Sequence, residues 1–132
     1  MRIDAHQHFW KFNPVRDAWI TPEMQVIRRD FLPHDLLPLL NASGIDGTVA
    51  VQADQSTAET DFLLTLVEHH DFIKGVVGWI DLRAEDLEHQ LGTYSEKKRL
   101  KGFRHIVQGE RDPAFMNRPE FMQGIRTLHR FG

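Results

Sequence analysis

Near the start of the chain, Asp4-Ala5-His6-Gln7-His8 spaces two histidines by one residue. In an extended strand the side-chain period is 2, so both imidazoles fall on one face, about 6 to 7 Å apart along the strand. From there both can reach one metal ion or one polarised substrate. Such a pair can also end a strand hydrogen-bonded and inert. Asp4 ahead of it and the apolar strand around it weigh towards chemistry. Late in the chain, Arg104-His105 closes another apolar stretch. A planar guanidinium at a strand end suits a carboxylate or a sugar hydroxyl, and its alternative is a salt bridge to a neighbouring helix. Pleating sends Arg104 and His105 to opposite faces, so only one of them can point into a barrel. His105 comes near His6 and His8 only where the first and fourth strands face each other across a lumen. Gln52 either donates to a ligand or simply ends its strand. Trp79 reads as core or pocket wall rather than a catalytic group, and Asp81 as a helix N-cap.

Positioning these residues requires strands that end where they stand. The first strand spans residues 2–9, with Asp4, His6 and His8 on one face. Residues 10–31 are polar and aromatic without periodicity, broken by Pro14 and Pro22, and read as a functional loop or lid. A helix over 36–42 is expected, with Asp35 as N-cap, Pro38 in its first turn and Gly44 as C-cap. Residues 47–53 form a β-branched, apolar second strand. Ser56 and Glu59 make a capping box for a helix over 57–70, striped with Phe62, Leu63, Leu66 and Val67. A third strand over 73–82, a polar helix over 85–94 and a fourth strand over 100–107 follow. Asn117 and Glu120 make a second capping box, for a helix striped with Phe121, Met122, Ile125 and Leu128. Gly132 reads as its C-cap, ahead of an expected fifth strand. The βαβαβαβα order means an α/β fold with a parallel sheet and crossover helices, and ligands bind at the carboxyl ends of such strands.

Composition is that of one globular domain, residues 1–132, with 27% charged and 41% hydrophobic residues. A complete (β/α)8 barrel needs roughly 200 to 250 residues and is excluded at this length. Net charge is −3, which gives no reason to expect nucleic acid or an anionic membrane as partner. Lys97-Lys98-Arg99 and Lys101 read as a solvated face. With no cysteine, disulfides, thiolate nucleophiles and Cys-ligated metal sites are excluded. There is no Gly-rich phosphate loop and no Gly-x-Ser-x-Gly elbow. No apolar run resembles a signal segment or a membrane span, and the expected setting is cytoplasmic.

The stretch Ile3-Asp4-Ala5-His6-Gln7-His8-Phe9-Trp10 resembles the opening strand of the amidohydrolase-related (amidohydrolase 2) family, in its L-fuconolactonase-like branch. Arg29-Asp30-Phe31-Leu32-Pro33, Val51-Gln52-Ala53, residues 76–82 and Lys101-Gly102-Phe103-Arg104-His105-Ile106 extend the resemblance along the whole chain. The resemblance implies the first half, about four strand–helix units, of a distorted (β/α)8 TIM barrel. It implies hydrolysis of a sugar lactone or related small lactone, with His6 and His8 as ligands of a divalent metal, zinc first. Some members of the branch work without a tightly held metal. On this reading His6, His8 and His105 are catalytic, and Gln52, Trp79 and Arg104 bind substrate. The family's later-strand histidine and its aspartate after the eighth strand have no positions here. The chain is therefore expected to be part of a longer protein or to be completed by a second chain, and inactive without the other half. By itself it should hold no tight zinc, and its open edges should drive homo-oligomerisation. The competing functions are a metal-dependent phosphoesterase or nuclease of another His-x-His barrel family, and a non-catalytic half-barrel module.

Overall fold

A computed structural model describes residues 1–131. The strands β1 (Ile3–Gln7), β2 (Gly47–Val51), β3 (Ile73–Gly78) and β4 (Leu100–Phe103) alternate with the helices α1 (Pro33–Ser43), α2 (Thr57–His69), α3 (Leu87–Ser95) and α4 (Pro119–His129). The strands lie side by side in chain order, and every pairing is parallel. Parallel neighbours cannot be joined by a tight turn, so a helix crosses over between each pair. Phe9, Ala50, Leu63, Ile73 and Val76 form one core cluster, each 1% exposed or less. A second cluster gathers Ile80, Leu82, Leu87, Leu91, Phe115 and Phe121. Burial of side chains of this size contributes about 1.5–3 kcal/mol each.

Each strand is shorter than its apolar run. At the end of β3 the cause is Thr60, which is fully buried on α2. Its hydroxyl accepts the Trp79 N–H at 2.7 Å and donates to the Trp79 carbonyl at 2.8 Å, taking over both backbone groups of that residue. A Cβ on Gly78 would lie 2.6 Å from Thr60 Cγ2, so a glycine is needed for this approach.

Several expected helix ends are corrected. Pro33 takes N1 of α1, so the helix starts earlier and Leu32 stands at the N-cap. Asp35 becomes N3, accepts the Leu32 N–H at 2.9 Å, and leaves Pro38 inside the helix. Gly44 is the expected left-handed C-cap, with φ 63°. Ser56 accepts the Glu59 N–H at 3.2 Å, but the Glu59 carboxylate turns to the Ala53 N–H at 3.1 Å rather than back to Ser56. Asp81 does not cap α3. It accepts the Arg83 N–H and pairs with the Arg83 guanidinium, and Asp86 stands at the N-cap. Pro119 takes N1 of α4, so the N-cap falls on Arg118 and the Asn117–Glu120 box does not form. The helix buries Phe121, Gly124 and Thr127, while Met122 and Ile125 stay exposed, one step around from the expected stripe. The cap expected at Gly132 lies outside the described residues.

The 10–31 loop is closed at its root. Trp10 and Phe31 exchange both backbone hydrogen bonds, at 3.0 and 2.9 Å, and their rings lie 4.4 Å apart. Asp17 organises the next turn by accepting the Asn13 N–H and two Arg16 guanidinium N–H groups, all at 2.8 Å. Short 3-10 turns follow over Pro22–Ile27. No helix among the described residues is long and apolar enough to cross a membrane.

Candidate active site

His6 lies in β1, His8 just past its end, and their rings are 5.0 Å apart and nearly perpendicular. Arg104 stands one residue beyond β4, at the opposite edge of the sheet. The sheet curls enough for Arg104 Nη1 to donate to His6 Nε2 at 3.3 Å. Gln52, fully buried just past β2, braces the arginine from both sides. Its Nε2 donates to the Arg104 carbonyl at 3.1 Å, and its own carbonyl accepts Arg104 Nη2 at 3.3 Å. His8 Nδ1 donates to the Val51 carbonyl at 2.9 Å, which fixes the tautomer and leaves Nε2 as the free lone pair. Burial pushes His8 below the ordinary histidine value of 6.5; the bond to Val51 opposes this, and the nearby Arg104 and His6 reinforce it. Burial likewise lowers Arg104 from its ordinary value.

Between these strand ends and the loop lies a cavity of about 310 Å³, a volume at the low end for small-molecule sites. His8, Arg104, Ala53 and Ile106 line one side. The loop contributes Trp10, Arg16, Asp17, Trp19, Ile20 and Ile27, the β2–α2 turn adds Asp54, and the first turn of α2 adds Glu59. Burial raises the Glu59 carboxyl above its ordinary value, against the bond from Ala53 N–H and the field of Arg16. Among the described residues, four buried side-chain polar atoms lack a protein partner: Gln7 Nε2, Trp10 Nε1, Gln52 Oε1 and Arg104 Nε. All four residues lie at or just past the ends of β1, β2 and β4. An unpaired buried polar group costs about 1–3 kcal/mol, and two of the four, Trp10 Nε1 and Arg104 Nε, belong to residues that line the cavity.

The structure does not bring the other two sequence candidates to this rim. His105 lies behind the sheet, stacked on Phe115 at 4.7 Å. Its Nε2 lies 2.6 Å from the Glu110 carboxylate, and its Nδ1 accepts the Trp79 indole N–H at 3.4 Å. Trp79 lines a separate groove with Asp61, His89 and Tyr94 of the outer helices. The pleat alone separates Arg104 from His105. Nothing in the sequence singled out Arg16, Asp17 or Glu59 as cavity residues. The only local signals were the aperiodic loop and the capping pattern that Glu59 half fulfils.

His6 and His8, with rings 5.0 Å apart, are of the residue type that ligates a divalent metal; His8 Nε2 has a free lone pair, whereas His6 Nε2 accepts from Arg104 and would have to release it. Zinc takes three or more protein ligands, and no group of three His, Asp or Glu side chains among the described residues could hold a metal.

A parallel βα sheet, curled so that side chains from its carboxyl ends converge, is the first half of a TIM barrel. The chain belongs to the Amidohydrolase family, whose model matches residues 3–131. It is 42% identical over 129 residues to an L-fucono-1,5-lactonase of Burkholderia multivorans, covering 97% of this chain and 43% of that protein. It is 36% identical over 127 residues to an L-fucono-1,5-lactonase of Burkholderia ambifaria, covering 96% and 44%. A Burkholderia multivorans amidohydrolase solved with bound zinc superposes with a TM-score of 0.93 at 40% identity, over 98% of this chain and 46% of that one. The chain thus spans less than half the length of these relatives. A probable 2-pyrone-4,6-dicarboxylic acid hydrolase of Acinetobacter baumannii shares the fold, with a TM-score of 0.73 at 15% identity.

Proposed function

We propose that this chain supplies the first four strand–helix units, and one side of the active site, of a hydrolase that opens a sugar lactone. The observation that carries this reading is a Gln52-braced Arg104 that meets His6 Nε2 and lines one cavity with His8. A lactone is a neutral ring ester. Water adds to its carbonyl carbon, the ring C–O bond breaks, and a hydroxy acid leaves. Charge develops on the carbonyl oxygen and then on the product carboxylate. Arg104, with an Nε–H that has no protein partner, serves both oxygens through paired donors. Gln52 is a positioning residue, since it holds the arginine's backbone and head group together. His6 and His8 would hold a divalent metal, and the zinc-bound relative supports zinc. Such a metal, when bound, would polarise the carbonyl. The remaining ligands and the general base come from strands added beyond the β1 and β4 edges, in the same protein or in another copy.

Proton release from L-fucono-1,5-lactone by the full-length protein, with spontaneous hydrolysis subtracted, tests this. Turnover above background is expected. Hydrolysis of a phosphoester with every lactone ignored would reassign the site.

A further inference from the structure

The loop closed by Trp10 and Phe31 carries groups that opening an ester does not require. Trp19 is 65% exposed at the cavity rim, while Ile20 next to it is 4% exposed. A large indole face left bare on a cavity wall suits the apolar C–H face of a saturated ring. Trp10 is fixed against Phe31, lines the same cavity, and has a buried indole N–H with no protein partner. Asp17 is 8% exposed and held in place by Asn13 and Arg16. With Asp54 and Glu59 it sets three carboxylates around the cavity against the guanidinium groups of Arg16 and Arg104.

We infer that this loop reads the substrate's ring: Trp19 packs on the face of a neutral, hydroxylated ring, and Trp10 Nε1–H and Asp17 hydrogen-bond its hydroxyls. The assignment rests on the lactone-hydrolase reading of the same cavity, with the ester at Arg104 and the rest of the ring under the loop. The same carboxylates disfavour a ring that carries a carboxylate of its own.

The test is binding of 1,5-anhydro-L-fucitol, a neutral ring with no ester to hydrolyse, to the full-length protein by ligand-observed NMR. L-Galacturonate serves as the anionic ring. The wild type should bind 1,5-anhydro-L-fucitol at least about tenfold more tightly than L-galacturonate. Trp19→Ala should weaken the neutral ring by about tenfold, the scale of one lost aromatic contact, and Trp19→Phe should recover most of the loss. Asp17→Asn should narrow the preference for the neutral ring. An unchanged Tm is the check that the Trp19 variants keep the fold. Equal binding of the two rings, no binding of either, or wild-type affinity in Trp19→Ala would overturn the assignment. Binding as expected without any lactone turnover would leave the loop's role standing and sink the hydrolase reading instead.

Discussion

Arg104 and His105 are adjacent in the chain and opposite in circumstance. Arg104 crosses the sheet's inner side to His6, and its Nε is buried without a partner. His105 has both ring nitrogens engaged, by Glu110 and Trp79, and a phenyl ring on its face. The first is a polar group held ready at a cost, and the second is a polar group whose bonding is complete. The same contrast divides the two sides of the strand ends. Trp10 Nε1 and Arg104 Nε are unpartnered on residues that line the cavity, whereas the layer around His105 is closed by packing. A histidine at a strand end is therefore assigned by what its neighbours leave unsatisfied, not by its chemistry alone.

Substitutions can sharpen or break that contrast. The largest effect is expected at the rim. His6→Ala should lower kcat/KM on a sugar lactone by roughly a hundredfold or more, about 2.7 kcal/mol of transition-state stabilisation. His105→Ala should act on stability instead. It removes a stacked ring and strands the Glu110 carboxylate and the Trp79 N–H, at about 2–4 kcal/mol by urea unfolding. Thr60→Val, which leaves the Trp79 peptide without its buried hydroxyl, should cost about 1–3 kcal/mol by the same measurement.

The smallest effect concerns pH. The Glu59 carboxyl is raised by burial, with Arg16 opposing and Asp54 and Asp17 reinforcing the shift. The folded state thus holds the proton longer than the unfolded one. The stability this gives is full below the ordinary glutamate value of 4.5 and is lost as pH rises through the folded-state value. Glu59→Gln can still accept the Ala53 N–H, and it should flatten this decline. A Tm-versus-pH curve identical to wild type from pH 4 to 7 would contradict it.

The alternation of strands and helices was legible because it rests on hydrophobic periodicity and short-range turn chemistry. The helix starts at Pro33 and Pro119 were misplaced because proline's preference for N1 outweighed the side-chain caps assigned to Asp35 and Asn117. Arg104 was legible only as one of two alternatives, since the pleat separates it from His105 without saying which faces inward. The part of the cavity wall made by Arg16 and Asp17 was not legible. It depends on the Trp10–Phe31 bridge and on a turn folded around Asp17, contacts that no periodic pattern encodes.

The most direct measurement is a paired one on the full-length protein: kcat/KM for L-fucono-1,5-lactone in Arg104→Lys and His105→Phe, per mole of folded protein. Lysine keeps the charge but loses the paired donors, and phenylalanine keeps the packing but loses the nitrogens. The account predicts a fall of roughly tenfold or more for Arg104→Lys, about 1.4 kcal/mol, and a value within about twofold of wild type for His105→Phe. Wild-type turnover in Arg104→Lys with a collapse in His105→Phe would place the chemistry on the other side of the sheet.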